Sequence, residues 1–238
     1  MNTFWLCLHA PFAAFRGFQA GVYRSTSPVM PPSTAYGLVL NLAGIEMRAS
    51  MDKAITLIRS GLPSLRLAIG VVEQPGKNSL YQQLHGYRVG SDAKTKEMAA
   101  LTKGAKYQIV PVRREVLVDY EGVIGVQTSE ENLRGQVAKG LRGELDTERY
   151  GLPFAGDNNF LFDYIKEIEQ PPVATRWYTR FQPNDSPRKG SWRLTVGIDR
   201  ADNSKTTSYL YAPLATPQQF PPDAAWTWTP NAPQEVEQ

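Results

Sequence analysis

Two consecutive prolines followed by a serine, Pro31-Pro32-Ser33, constrain this 238-residue chain more than any other feature. Proline has a locked φ and no amide hydrogen, so no helix runs backwards through the pair. A serine after them brings a hydroxyl that can satisfy an orphan N–H. The pattern therefore predicts a helix starting at Ser33. Ala35, Leu38, Val39, Leu42 and Ile45 give it one apolar face and carry it to about Met47. What comes before must be built differently. Residues 3–9 form a short apolar and aromatic run, expected to be a buried strand. Between strand and helix lies a loop rich in aromatics and arginine, running through Phe12, Phe15, Arg16, Phe18, Tyr23 and Arg24.

Downstream, residues 51–59 suggest a second short helix that stops at Gly61. Residues 65–73 are the next strand, ended by Pro75-Gly76. Residues 79–89 alternate as a strand does, and residues 90–94 are a polar turn. Residues 105–126 are β-rich, with Pro111 marking an edge or a kink. Thr128-Ser129-Glu130-Glu131 has the form of a capping box before a helix to about Leu141. A loop at 149–159 leads to an expected short helix at 160–168, then to strands at 174–181, 192–199 and 208–212. Trp226 and Trp228 are expected to cover a sheet face or a partner surface, and the acidic stretch 230–238 is expected to be disordered. The order is strand, helix, strand, long hairpin insertion, strand, helix, strand. That predicts an α+β chain with a ferredoxin-like βαββαβ body, a hairpin between its second and third strands, and extra C-terminal strands. No repeat or linker divides it, so residues 1–229 are expected to form a single domain.

The residues present exclude several chemistries. There is no Walker-type phosphate loop, no GxGxxG and no GxSxG elbow. Two histidines, His9 and His85, and the single Cys7 do not make a typical zinc site, and the carboxylates form no compact two-metal motif. No cofactor or metal is expected. No apolar run is long enough to cross a membrane, and the N-terminus lacks a basic segment before its short apolar run, so a cytoplasmic protein is expected. A metal-free nuclease relying on one histidine stays open at this point.

The net charge is +3, yet residues 77–114 carry eight basic residues against two acidic ones. Lys77, Arg88, Lys94, Lys96, Lys103, Lys106, Arg113 and Arg114 are interleaved there with Tyr81, His85, Tyr87 and Tyr107. Cations neutralise phosphates and aromatic faces stack on unpaired bases, so the segment suits single-stranded RNA. The helix start at Ser33 is either an ordinary cap or a second anion site, since first-turn N–H groups and the helix dipole favour a phosphate.

The N-terminal third resembles the fifth family of CRISPR-associated (Cas) proteins. The resemblance lies in residues 6–18, in Tyr23-Arg24 and in Pro31-Pro32-Ser33-Thr34-Ala35-Tyr36-Gly37-Leu38. A second match is Arg149-Tyr150-Gly151-Leu152-Pro153-Phe154-Ala155-Gly156-Asp157-Asn158-Asn159-Phe160, similar to that family's glycine-containing loop. Residues 65–70 stand where the family's second strand would. The resemblance implies a repeat-associated mysterious protein (RAMP): a ferredoxin-like, RRM-related body with a hairpin thumb, in a type I Cascade complex. It implies a non-catalytic subunit that holds the 5′ tag of the CRISPR RNA and caps the backbone of family-seven subunits. It also implies contact with the large family-eight subunit, and with target DNA through the complex. Carried over, the loop from Arg16 through Phe18 and Tyr23 to Arg24, the helix start from Ser33 to Tyr36, and Tyr150, Gly151, Gly156, Asn158 and Asn159 would cradle the tag. The basic segment, with Tyr81, His85, Tyr87, Arg88, Lys94, Lys96, Arg113 and Arg114, would be the thumb. One subtype of the family cuts precursor RNA, so a metal-independent endoribonuclease is the first alternative. An unrelated RRM-like RNA-binding protein is the second.

Overall fold

The computed structural model describes residues 1–17, 23–49, 55–86, 108–186 and 188–233. The strands are β1 (Asn2–Ala13), β2 (Tyr23–Arg24), β3 (Leu65–Val71), β4 (Gly76–Gly86), β5 (Gln108–Thr128), β6 (Tyr164–Ile168), β7 (Arg176–Arg180), β8 (Trp192–Gly197), β9 (Thr207–Pro213) and β10 (Thr227–Thr229). The helices are α1 (Pro32–Leu42) and α2 (Leu133–Arg142). The architecture is α+β. One sheet runs in the order β6-β1-β5-β3-β7-β9-β8, with β10 on β3 and both β2 and β4 on β5.

Strand alternation assigns the two sheet faces. Phe4, Leu6, Leu8 and Ala10 of β1 point into the main core, while Trp5 belongs to a second cluster on the opposite face. Both helices pack over the main core. At their crossing, a Cβ on Gly140 would strike the carbonyl of Leu42, so the two backbones meet there without an intervening side chain. The second cluster holds Trp5, Ala68, Val123, Trp177 and Ala225, with Trp226 packed against it. Trp5 lies 5.9 Å from Trp177 and 5.8 Å from Trp226, ring centre to ring centre. Gly125 of β5 makes room, since a Cβ there would come within 2.6 Å of the Trp5 ring. Trp226 thus covers the sheet face opposite the helices.

β5 belongs to two structures at once. From Leu117 to Thr128 it pairs with β1, and from Gln108 to Val118 with β4. The β4–β5 ladder therefore leaves the sheet as a projection, two-stranded except where β2 joins β5 at Arg113 and Arg114, and Pro111 lies inside it opposite Gln83.

Several expectations need correction. α1 ends at Leu42, not near Met47, because Gly44 at φ +72° stops it. The amide of Gly44 donates to Asn41 and that of Ile45 to Leu40, the paired bonds of a Schellman stop. Pro31, not Ser33, is the N-cap, and no side chain caps the helix. Residues 55–59, half of the expected second helix, are not helical; Ile58 bridges to Arg48 instead. The proposed capping box lies on the strand side: Thr128 accepts from the amide of Glu130, and α2 begins only after Asn132. Residues 164–168 are not helix but strand β6, paired from Tyr164–His9 to Ile168–Trp5.

Candidate nucleic-acid interface

Residues 14–17 are pinned to the segment before α1. The amide of Phe15 donates to the buried Thr26 hydroxyl (2.8 Å), and the amide of Ser27 donates to the Phe15 carbonyl (2.9 Å). This sets Arg16 beside the helix start, where it lines a cavity of about 430 Å³ with Pro31, Ser33, Thr34, Asp199 and Arg200. β2 runs parallel to β5 and brings Arg24 alongside Arg114. Arg114 is 4% exposed and holds Asp157 at 2.5 Å. Burial pulls the Asp157 carboxyl up, but donation from Arg114 and from the Asn159 amide outweighs it and leaves the carboxyl below its ordinary range. Arg16 is depressed, first by burial and then by Arg24 and Arg114, with Asp157 opposing. Cations are thus held together against their own repulsion, an arrangement that an incoming polyanion relieves.

The loop 149–160 is fixed to this cluster. The amide of Ala14 donates to the Ala155 carbonyl, and the amide of Ala155 to Phe160. Gly156 has φ +82°, and a Cβ there would strike the Ala14 carbonyl. Gly156 is therefore a backbone requirement of the fold at this position. Gly151 has open space around it, and Asn158 is exposed. The Asn159 amide and side chain both donate to Asp157. Tyr150 is 71% exposed with the Arg48 guanidinium over its ring. Arg48 grips Glu46 at 2.8 Å and holds that carboxyl down to about 2. These residues edge a groove of about 550 Å³ that shares Ser33, Thr34, Ile198 and Arg200 with the first cavity.

On the projecting ladder, Tyr23, Arg113 and Tyr81 stand in one register row across β2, β5 and β4. Tyr23 is 48% exposed, Tyr81 68%, and Arg113 is exposed. Glu115 fixes the row's base, accepting from the Tyr23 hydroxyl (2.8 Å) and the Thr26 amide (3.0 Å), with Lys77 at 3.6 Å. Burial raises the Glu115 carboxyl, and these donors more than reverse it.

The structure brings together Arg16, Arg24, Ser33 and Arg114, and separately Tyr23, Arg113 and Tyr81. Tyr36 stands apart: it is 3% exposed, its hydroxyl donates to the Pro63 carbonyl, and burial raises it to about 12. Phe18, Tyr87, Arg88, Lys94 and Lys96 lie outside the described residues, as does the side chain of His85. Sequence reasoning missed Thr26, Glu115 and the pairing role of Asp157. It also missed a clamp on the outer sheet face. His9 sits between Asp119 (Nε2, 2.8 Å) and Asp163 (Nδ1, 3.0 Å), 5.6 Å from the Tyr164 ring. Asp119 takes φ 56°, a left-handed conformation that aspartate tolerates. The Asp119 hydrogen bond, against some desolvation, raises the His9 pKa. Among the described residues no His/Cys/Asp/Glu group could hold a metal ion, and no helix is long and apolar enough to cross a membrane.

A family model described as CRISPR-associated protein (Cas_Cas5) matches residues 4–142. Among solved structures, a chain of a "CRISPR RNA-guided surveillance complex" is similar at a TM-score of 0.56 and 14% identity, over 94% of this chain and 92% of that one. A second, described as "Crystal structure of Cas protein", is similar at a TM-score of 0.49 and 13% identity, over 93% of this chain and 100% of that one. No curated protein sequence matches.

Proposed function

Because the chain belongs to the CRISPR-associated protein (Cas_Cas5) family, we propose that it is a non-catalytic subunit of a type I Cascade complex that holds the 5′ tag of the guide RNA. In this reading the βαββαβ body is ferredoxin-like, and its strand order β6-β1-β5-β3 supports that. The β4–β5 ladder is the base of the thumb. The subunit caps the family-seven backbone and meets the large family-eight subunit, supporting RNA-guided DNA targeting. The observation that carries the proposal is the convergence of Arg16, Arg24 and Arg114 near the start of α1, with the exposed Tyr23–Arg113–Tyr81 row on the other face of the same paired strands. Phosphates meet Arg16 and Arg24, and unpaired bases meet the tyrosines.

Catalysis is not part of the proposal. A metal-free ribonuclease needs a base with a free lone pair near the attacking hydroxyl. Both ring nitrogens of His9 are engaged by carboxylates, which favours its charged form.

One binding experiment tests both points. With Arg16→Gln and Arg24→Gln combined, affinity for repeat-derived single-stranded RNA falls, and the salt dependence flattens by about 0.7 in log–log slope per lost phosphate contact. In the same EDTA-containing buffer the wild-type chain leaves the RNA intact. An unchanged slope overturns the arginine site, and specific cleavage lost in His9→Gln promotes the endoribonuclease alternative.

A further inference from the structure

We infer that the RNA path continues past the thumb base onto the C-terminal sheet, where Trp192, Tyr209 and Arg180 form a second stacking surface for single-stranded RNA. This rests on the RNA-binding reading above and extends it to residues outside the family match.

The argument starts from register. On the projecting ladder, Lys77, Ser79 and Tyr81 stand opposite Leu117, Glu115 and Arg113, so they share one face with the Tyr23 row. At the foot of that face Lys77 Nζ lies 5.2 Å from the Trp192 ring centre. Trp192 of β8 is opposite Tyr211 of β9, which is opposite Arg180 of β7. Tyr209, two residues back along β9, shares that face, and the Arg180 guanidinium sits 3.4 Å over its ring. Trp192, Tyr209 and Arg180 are all partly open to solvent.

The result is a track in which aromatic rings and cations alternate from β2 to β7. Its carboxylate, Glu115, is already engaged by Tyr23, Thr26 and Lys77. Core packing explains why the rings are half-buried. It does not call for a cation over Trp192 and another over Tyr209. Single-stranded RNA does: indole and guanidinium planes take base faces, and the same cations take phosphates.

The test compares two RNAs in binding to the full chain, one short enough to occupy only the Tyr23–Arg113–Tyr81 row and one long enough to reach β8 and β9. Arg180→Gln with Trp192→Leu leaves the Tyr23 row and its Glu115–Lys77 base untouched and keeps an apolar side chain on the core, and a thermal melt verifies the fold. The expected result is about tenfold weaker binding of the longer RNA, a salt slope smaller by about 0.7 per lost contact, and unchanged binding of the shorter one. Ultraviolet crosslinking of the longer RNA should also mark the β8 or β9 peptide. If Arg113→Gln with Tyr81→Ala weakens neither RNA, the RNA reading of the row fails. If that variant weakens both while Arg180→Gln with Trp192→Leu changes nothing, the extension alone is overturned. Normal RNA binding with lost assembly onto another subunit would make the surface a protein interface and also overturn the inference.

Discussion

On the outer face of the sheet, Trp5, Trp177 and Trp226 pack against one another, and the Trp177 indole donates to the Gln218 carbonyl at 3.0 Å. At the start of α1, Arg16, Arg24 and Arg114 press together beside an open cavity, and Asp157 answers them in part. Both regions are rich in residues that nucleic-acid-binding proteins use. In the first, every ring is spent on a neighbour and the face is closed. In the second, the charges are crowded: Arg16 and Arg24 are left open to solvent, and Arg114 is buried behind them on Asp157. Composition alone does not separate an aromatic that binds from one that packs; what separates them is whether the fold has already supplied the partner.

Three experiments put that contrast to the test. The largest effect is expected at Trp177, 0% exposed. Trp177→Ala should cost about 3–5 kcal/mol in denaturant unfolding, with RNA affinity of the folded protein unchanged. Lost RNA binding at full stability would show that the closed face is in use. Next comes Arg114, which is buried like the tryptophans and charged like the open cluster. Arg114→Gln should cost about 2–3 kcal/mol by stranding Asp157, which keeps 14% exposure, and adding Asp157→Asn should recover part of it. An unchanged melt would move Arg114 to the open side of the comparison. The smallest effect concerns His9, whose pKa is raised above its ordinary 6.5. A raised value means that folding favours the charged ring. Its stabilisation is therefore complete below about 6.5 and is lost as pH climbs through the folded-state value. Asp119 is 82% exposed, so the effect should stay below about 1 kcal/mol. His9→Gln should flatten the dependence of unfolding on pH in that window, and an unaltered profile would remove the clamp from the account.

Much of the fold was legible because strand periodicity is local. Residues 3–9, 65–71 and 108–126 alternate or run apolar within their own neighbourhoods, and the structure places strands there. β6 was misread because Phe160, Tyr164, Ile165 and Ile168 fall at helical spacing, and in so short a segment pairing with β1 decides the outcome. The end of α1 was misread because apolar spacing continues to Ile45, past a glycine whose left-handed φ sets the stop. The candidate interface was legible as a set of residue types only. The contacts that organise it, Arg114 with Asp157, Tyr23 with Glu115, and His9 with Asp119 and Asp163, join residues 43 to 154 positions apart. No periodicity carries that information.

The double membership of β5 has a mechanical consequence. At about 3.3 Å per residue, its 21 residues form a rod of at most roughly 70 Å shared by the projection and the sheet, with one left-handed residue, Asp119, in its length and no hinge loop. A pull along the projection loads the β1–β5 ladder in shear, so its eleven register pairs resist together instead of peeling one by one. A sideways push uses the same rod as a lever arm, and the torque is delivered to the strand that lies between β1 and β3.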